Sequence, residues 1–197
     1  MAILTAPGAA GEEGLRIERS LPHGHVAAGL GMLRKIRLDR LLLSTAKDEP
    51  SRRCCDLAVG LIVDRLLAPR SKLGFVRAVN SQTASSSLGE VLSLDAVAER
   101  EVYAALDWLL EQQPRVESAL ARRHLKNGTL VLYDVSSSYL EGRKCPLAQH
   151  GYSRDHRPDR PQIVYGLLCT REGLPVAVRC STAIRPTRRL SPPRSPS

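Results

Sequence analysis

A chain of 197 residues with 43% apolar side chains supplies about one to one and a half ordinary domains, and with only 4% aromatics its core must rest on Leu, Val, Ile and Ala. No apolar run approaches the roughly 20 residues that cross a bilayer; the longest, Leu57 to Val63, stops at Asp64, and no basic segment leading into an apolar stretch marks a secretory signal. The net charge of +9 invites an acidic partner, but residues 179–197 hold five arginines and no acid, leaving 24 basic against 20 acidic residues, or +4, elsewhere.

An ordinary solvated surface accounts for +4 as well as DNA binding does. The five cysteines, Cys54, Cys55, Cys145, Cys169 and Cys180, form no C-x-x-C pair and no zinc spacing, and read as reduced thiols of a cytoplasmic protein.

Residues 1–14 are Gly/Ala-rich and aperiodic, and read as a mobile leader. From Arg16 to Leu43 short amphipathic pieces alternate with Gly and His. Ser51 is a fit N-cap for a helix in which Cys54, Leu57, Ala58, Leu61, Ile62 and Leu66 keep the helical period and which Pro69 ends. Ser71 caps a second helix through Val79; the short turn between them leaves room for a helix-turn-helix without a clear signature of one. Asn80 to Gly89, with four serines, reads as a loop. A helix from about Ala98 to Gln112 follows, and Pro114 opens the next, to about Leu125.

The period changes at Asn127-Gly128. Thr129 to Tyr133 is a β-branched and apolar run ending at Asp134, and 135–161 reads as a polar loop. Ile163 to Thr170 and Leu174 to Val178 are strands joined by the turn Arg171-Glu172-Gly173. Of residues 181–197, twelve are Arg, Pro or Ser, which pack no core. The expected order is therefore a helical region over 15–126, a strand-bearing region over 127–178, and a disordered tail over 179–197. The class is α+β.

Asp134 is the most informative carboxylate. At the end of an apolar strand it suits a metal ligand, and equally an Asp that starts a turn. Glu141, Asp155 and Asp159 read as loop-ordering partners of Arg143, Arg154, Arg157 or Arg160. Lys144, Arg154, Arg157 and Arg160 are candidate DNA-phosphate contacts, weighed against a plain solvated loop. His23 and His25 have no third ligand nearby in sequence, and Cys54 and Cys55 read as helix residues, at least one of them core.

The stretch Leu132-Tyr133-Asp134-Val135-Ser136-Ser137-Ser138-Tyr139-Leu140-Glu141-Gly142 resembles the first catalytic motif of DDE-type insertion-sequence transposases. The likeness continues from Leu147 to Val178, and Tyr152-Ser153-Arg154-Asp155-His156-Arg157-Pro158-Asp159-Arg160-Pro161-Gln162 is its most specific part. Upstream, Arg19 to Val26, Arg65 to Leu73 and Tyr103 to Leu109 also look like this group, so the resemblance covers roughly residues 15–178.

The resemblance implies the first three strands of an incomplete RNase H-like α/β domain, with Asp134 as the first acid of an Asp-Asp-Glu triad. In that family three carboxylates hold two divalent cations, usually Mg2+, for in-line attack on a DNA phosphodiester. The second and third acids belong to later segments that this sequence does not contain. The expected partners are DNA at transposon terminal inverted repeats and another copy or a full-length transposase, with no membrane and no small-molecule substrate. The expected location is the bacterial cytoplasm, at the nucleoid. Catalysis by this chain alone is not expected; a non-catalytic DNA-binding or regulatory role, and a helical module without any DNA role, are the other readings.

The family pattern stops after Val178. Codons legal for Arg179 through Arg188, read two nucleotides later, give Val-Phe-Asp-Gly-Asn-Thr-Ala-Asp-Pro, which is how such transposases continue. The tail therefore reads as an out-of-frame product. Three strands without their later partners are expected to leave an edge and an apolar face uncovered, which favours marginal stability and aggregation.

Overall fold

The computed structural model describes residues 19–125, 131–142 and 144–182. The leader at 1–14, the start of the predicted first strand at Thr129 and Leu130, and the tail from Ala183 onward lie outside the described residues. The chain is a mixture of helix and strand, with six helices and one three-stranded antiparallel sheet among the described residues. It divides after Gln112 into two compact units.

In the first unit, α1 (Gly24–Lys35), α2 (Leu38–Leu43), α3 (Glu49–Leu67), α4 (Lys72–Val79) and α5 (Leu88–Val91) precede the start of α6 (Glu99–His124). Helix α3 begins earlier than its apolar period suggests. Asp48, not Ser51, is the N-cap and accepts a hydrogen bond from the Ser51 amide at 2.9 Å, while Pro50 fits the first turn, where its missing N–H costs nothing. Ser71 caps α4 as its position predicts, accepting from the Gly74 amide at 3.1 Å. Val26, Leu30, Leu42, Leu57, Val63, Phe75, Val79, Leu94, Val102 and Ala105 are buried and form the core, with Phe75 the largest fully buried side chain.

Polar side chains tie the loops of this unit to its helices. Asn80 exchanges two hydrogen bonds with the backbone of Val97, donating at 3.2 Å and accepting at 2.7 Å. Arg53 donates to the carbonyls of Ser93 and Asp95, each at 3.0 Å, and pairs with Glu101 at 3.3 Å. Glu101 also accepts from the Ala98 amide at 2.7 Å, so the start of α6 is capped from its own third residue. That amide is the main reason the Glu101 carboxyl lies below its ordinary range, against the opposing effect of burial; Arg53 adds to the lowering. Arg19 donates to the carbonyls of Ser81 and Ala84, and His23 Nδ1 meets Ser87 Oγ at 2.8 Å. The Arg19 to Val26 segment thus serves loop anchoring.

Helix α6 runs without interruption through Pro114, where the sequence predicts two helices. Proline removes one intrahelical hydrogen bond but keeps a helical φ, and the flanking Glu, Gln, Leu and Ala are strong helix formers. The boundary between the two units falls at Gln112–Gln113, beside this proline.

In the second unit, β1 (Val131–Tyr139), β2 (Gln162–Thr170) and β3 (Pro175–Thr182) form a meander in the order β1-β2-β3. Strand β1 does not end at Asp134. It continues through Ser136, Ser137 and Ser138 to Tyr139, because these residues pair with Tyr165, Val164 and Ile163 of β2; cross-strand pairing outweighs the turn preference of a serine run. Likewise β3 runs past Val178 through Thr182, so Arg179 to Thr182 are strand and not disordered tail. The β2–β3 turn closes at Gly173, whose φ of +81° suits glycine, with its amide donating to Thr170 O at 2.9 Å. No helix among the described residues is long and apolar enough to cross a membrane.

Candidate functional site

Successive strand residues point to opposite faces, so Asp134, Ser136 and Ser138 share one face of β1, with Leu167, Tyr165 and Ile163 opposite them on β2. The other face carries Tyr133, Val135, Ser137 and Tyr139. Asp134 sits mid-strand and exposed, opposite Leu167. Its position is set by the β1–β2 ladder, which continues along the chain before and after it, and not by a turn, which leaves the turn-starting role without a turn to start.

The segment from Leu140 to Pro161 returns from β1 to β2. Gln162, with no exposed surface, organises it: its Nε2 donates to Arg157 O at 3.0 Å and to Arg160 O at 2.9 Å, and its backbone exchanges hydrogen bonds with Gln149 at 2.7 and 3.1 Å. Ser153 Oγ accepts from the Arg157 amide at 2.9 Å. His156, at φ +54°, turns the chain between them.

The four candidate cations fall into different settings. Arg157 makes a two-pronged pair with Asp159, both contacts at 3.1 Å, and its guanidinium lies 5.1 Å from the centre of the Tyr139 ring. Arg160 Nε approaches the same carboxylate at 3.4 Å. That contact counts as an ion pair by distance, yet Arg160 Nε is buried without a hydrogen-bond partner, so we treat it as a charge contact with poor donor alignment. The Asp159 carboxyl is held below its ordinary range, chiefly by the Arg157 hydrogen bond. Lys144 is exposed in the connecting segment.

Arg154 is placed differently. Its Nη1 donates to Ser136 Oγ at 2.8 Å and its amide donates to Ser137 Oγ at 3.2 Å, which seats it against β1. Ser138 Oγ and Tyr165 Oη are 3.2 Å apart on the Asp134 face. A depression of about 400 Å3 lined by Val135, Ser136, Ser137, Tyr152, Arg154 and Val164 draws most of its strand residues, Val135, Ser137 and Val164, from the opposite face. Ser136, Ser138 and Tyr165 were not singled out from sequence. Their signal was the alternation Asp134, Ser136, Ser138 at period two, legible only once the serines are known to be strand.

No group of three or more His, Cys, Asp or Glu side chains among the described residues is arranged to hold a metal ion. The described residues therefore do not by themselves present the carboxylate cluster of a two-metal centre. Comparison with family models, with curated proteins and with solved structures finds no match for this chain.

Proposed function

We propose that this chain derives from a DDE-type insertion-sequence transposase and acts on DNA by binding it, with Asp134 as the inherited first acid of an RNase H-like domain. The observation that carries the reading is the placement of Asp134: exposed, in the middle of the first strand of an antiparallel meander, within the motif that resembles the family's first catalytic block. The long connection bearing Arg154, Arg157 and Arg160 lies between the first and second strands, which supports the reading.

Strand cleavage and transfer is the activity of descent. A two-metal mechanism needs more carboxylates than Asp134, so this chain by itself binds DNA without cutting it. The purified chain incubated with supercoiled plasmid and Mg2+ is the test: no nicking is expected. Nicking abolished by Asp134→Ala would overturn the inactive assignment and establish a complete site formed by some other route.

A regulatory role follows from the same reading. A chain that occupies transposon ends without cutting them competes with an active transposase. Gel shift with terminal inverted repeats, scored for binding without cleavage, checks it.

A further inference from the structure

We infer that Arg154, Ser136, Ser138 and Tyr165 form a subsite for a DNA backbone phosphate on the Asp134 face of the sheet. The inference rests on the DNA-binding reading above and narrows it to one cation and three hydroxyls.

Geometry separates Arg154 from its neighbours. The guanidinium of Arg157 is committed to Asp159 and stacks on Tyr139, whose place on β1 is the opposite face from Asp134. Arg154 is held by a neutral hydroxyl, so its charge is oriented without being neutralised by that contact. A guanidinium has five N–H donors, and the bond to Ser136 uses one of them. Ser136, Ser138 and Tyr165 each carry a rotatable O–H that can turn to donate. A cation fork beside three hydroxyls is the donor set that takes a phosphate.

A second observation points the same way. The Tyr165 phenol is shifted below its ordinary range, first by the hydrogen bond with Ser138, then by that with Ser136, with the charge of Arg154 contributing against burial and Asp155. The groups that favour a phenolate oxygen at this place are those that would favour a phosphate oxygen. Arg154, Ser138 and Asp134 are exposed, so a DNA strand has access to them.

The test uses the full chain and a fluorescein-labelled DNA duplex of arbitrary sequence, with affinity followed by anisotropy across a salt series. Arg154→Ala should weaken binding about tenfold at low salt and flatten the slope of log affinity against log salt by about 0.9, the signature of one lost phosphate contact. Arg154→Lys, which keeps the charge, should restore the slope, so that a merely loosened loop is distinguished from a lost contact. Tyr165→Phe should weaken binding roughly 2- to 10-fold. Arg171→Ala, the same charge change in the β2–β3 turn, should leave the slope as it is. If the parent chain binds DNA and Arg154→Ala binds it with unchanged affinity and slope, the subsite is wrong and the DNA-binding reading survives. If the parent chain binds no DNA, both fall.

Discussion

The phenol ring of Tyr133 on β1 lies across Gly166 on β2, filling the space that a Cβ at Gly166 would occupy. The two are diagonal neighbours, since Tyr133 pairs with Leu168 and Val135 with Gly166. Gly166→Ala should therefore displace the ring and cost about 1 kcal/mol, the low end of overpacking penalties. With Tyr133→Ala already in place the same change should turn stabilising, by about 0.5–1 kcal/mol, since alanine is better than glycine in a strand. Urea unfolding of the four chains in a double-mutant cycle reads the difference. An equal effect of Gly166→Ala in both backgrounds would show that the ring does not depend on the glycine.

Gly89 and Gly31 should respond in opposite directions to alanine. A Cβ at Gly89 would meet the Val79 carbonyl group, 2.9 Å from its carbon, and backbone at that spot cannot step aside as a side-chain tip can. Gly89→Ala should cost roughly 1–3 kcal/mol. Gly31 lies in α1 with nothing within 4 Å of a new Cβ, so Gly31→Ala should stabilise by about 0.5–1 kcal/mol. Thermal melts decide it, and a Gly89→Ala chain melting at or above the parent would refute the close approach.

Asp64 and Arg70 make stability depend on pH. Burial raises the Asp64 carboxyl above its ordinary 3.8, and Arg70, 3.1 Å away, pulls part of that back. A raised folded value means that the contribution of Asp64 is fully present below about pH 3.8 and is lost as pH rises through the folded value. Arg70→Met should raise the folded value further. Its penalty should be roughly 1–3 kcal/mol at neutral pH, where a buried carboxylate loses its partner. The penalty should be clearly smaller below about pH 3.8, where a carboxyl with a raised folded value is protonated and needs no partner. Denaturant midpoints at the two pH values measure this; a penalty that is flat with pH would remove Asp64 from the account.

Glu117 in α6 guards the outer edge of β3. Its Oε1 accepts from the Val178 amide at 3.1 Å, Arg179 meets it at 2.7 Å, and Gln113 donates both to Glu117 at 2.7 Å and to Val178 O at 2.9 Å. Burial works to raise the Glu117 carboxyl, but these hydrogen bonds, from Arg179 first, outweigh it and hold the group below its ordinary 4.5. Its contribution should therefore be complete above about pH 4.5 and fade as pH falls through the depressed value. Glu117→Ala should speed hydrogen exchange at the Val178 amide and flatten the acid limb of stability. Unchanged exchange at Val178 would rule the guard out.

Part of the helical unit could be read from local pattern, because Ser71 caps its own helix and Leu57 and Ala58 are buried as their helical spacing suggests, whereas Leu66, at the same spacing, is exposed. Pro114 misled for a physical reason: local rules treat proline as a start, whereas a long helix can absorb it. The serines of β1 misled in the opposite sense. Ser136 to Ser138 carry a loop composition and become strand only through β2, a partner more than twenty positions away in sequence. Asp134 was legible as a candidate from its motif. The hydroxyls of Ser136, Ser138 and Tyr165 were not, since their meeting depends on that register.

The Gln162 amide has one more consequence. The carbonyls of Arg157 and Arg160 are pinned by an uncharged, fully buried group, so the path of the cation-bearing loop does not depend on ion pairs alone. Added salt screens charges in solvent but leaves such enclosed neutral contacts nearly untouched. On the proposed DNA-binding reading, rising ionic strength should therefore strip nucleic acid from an intact frame, and binding should return on dilution without any refolding lag.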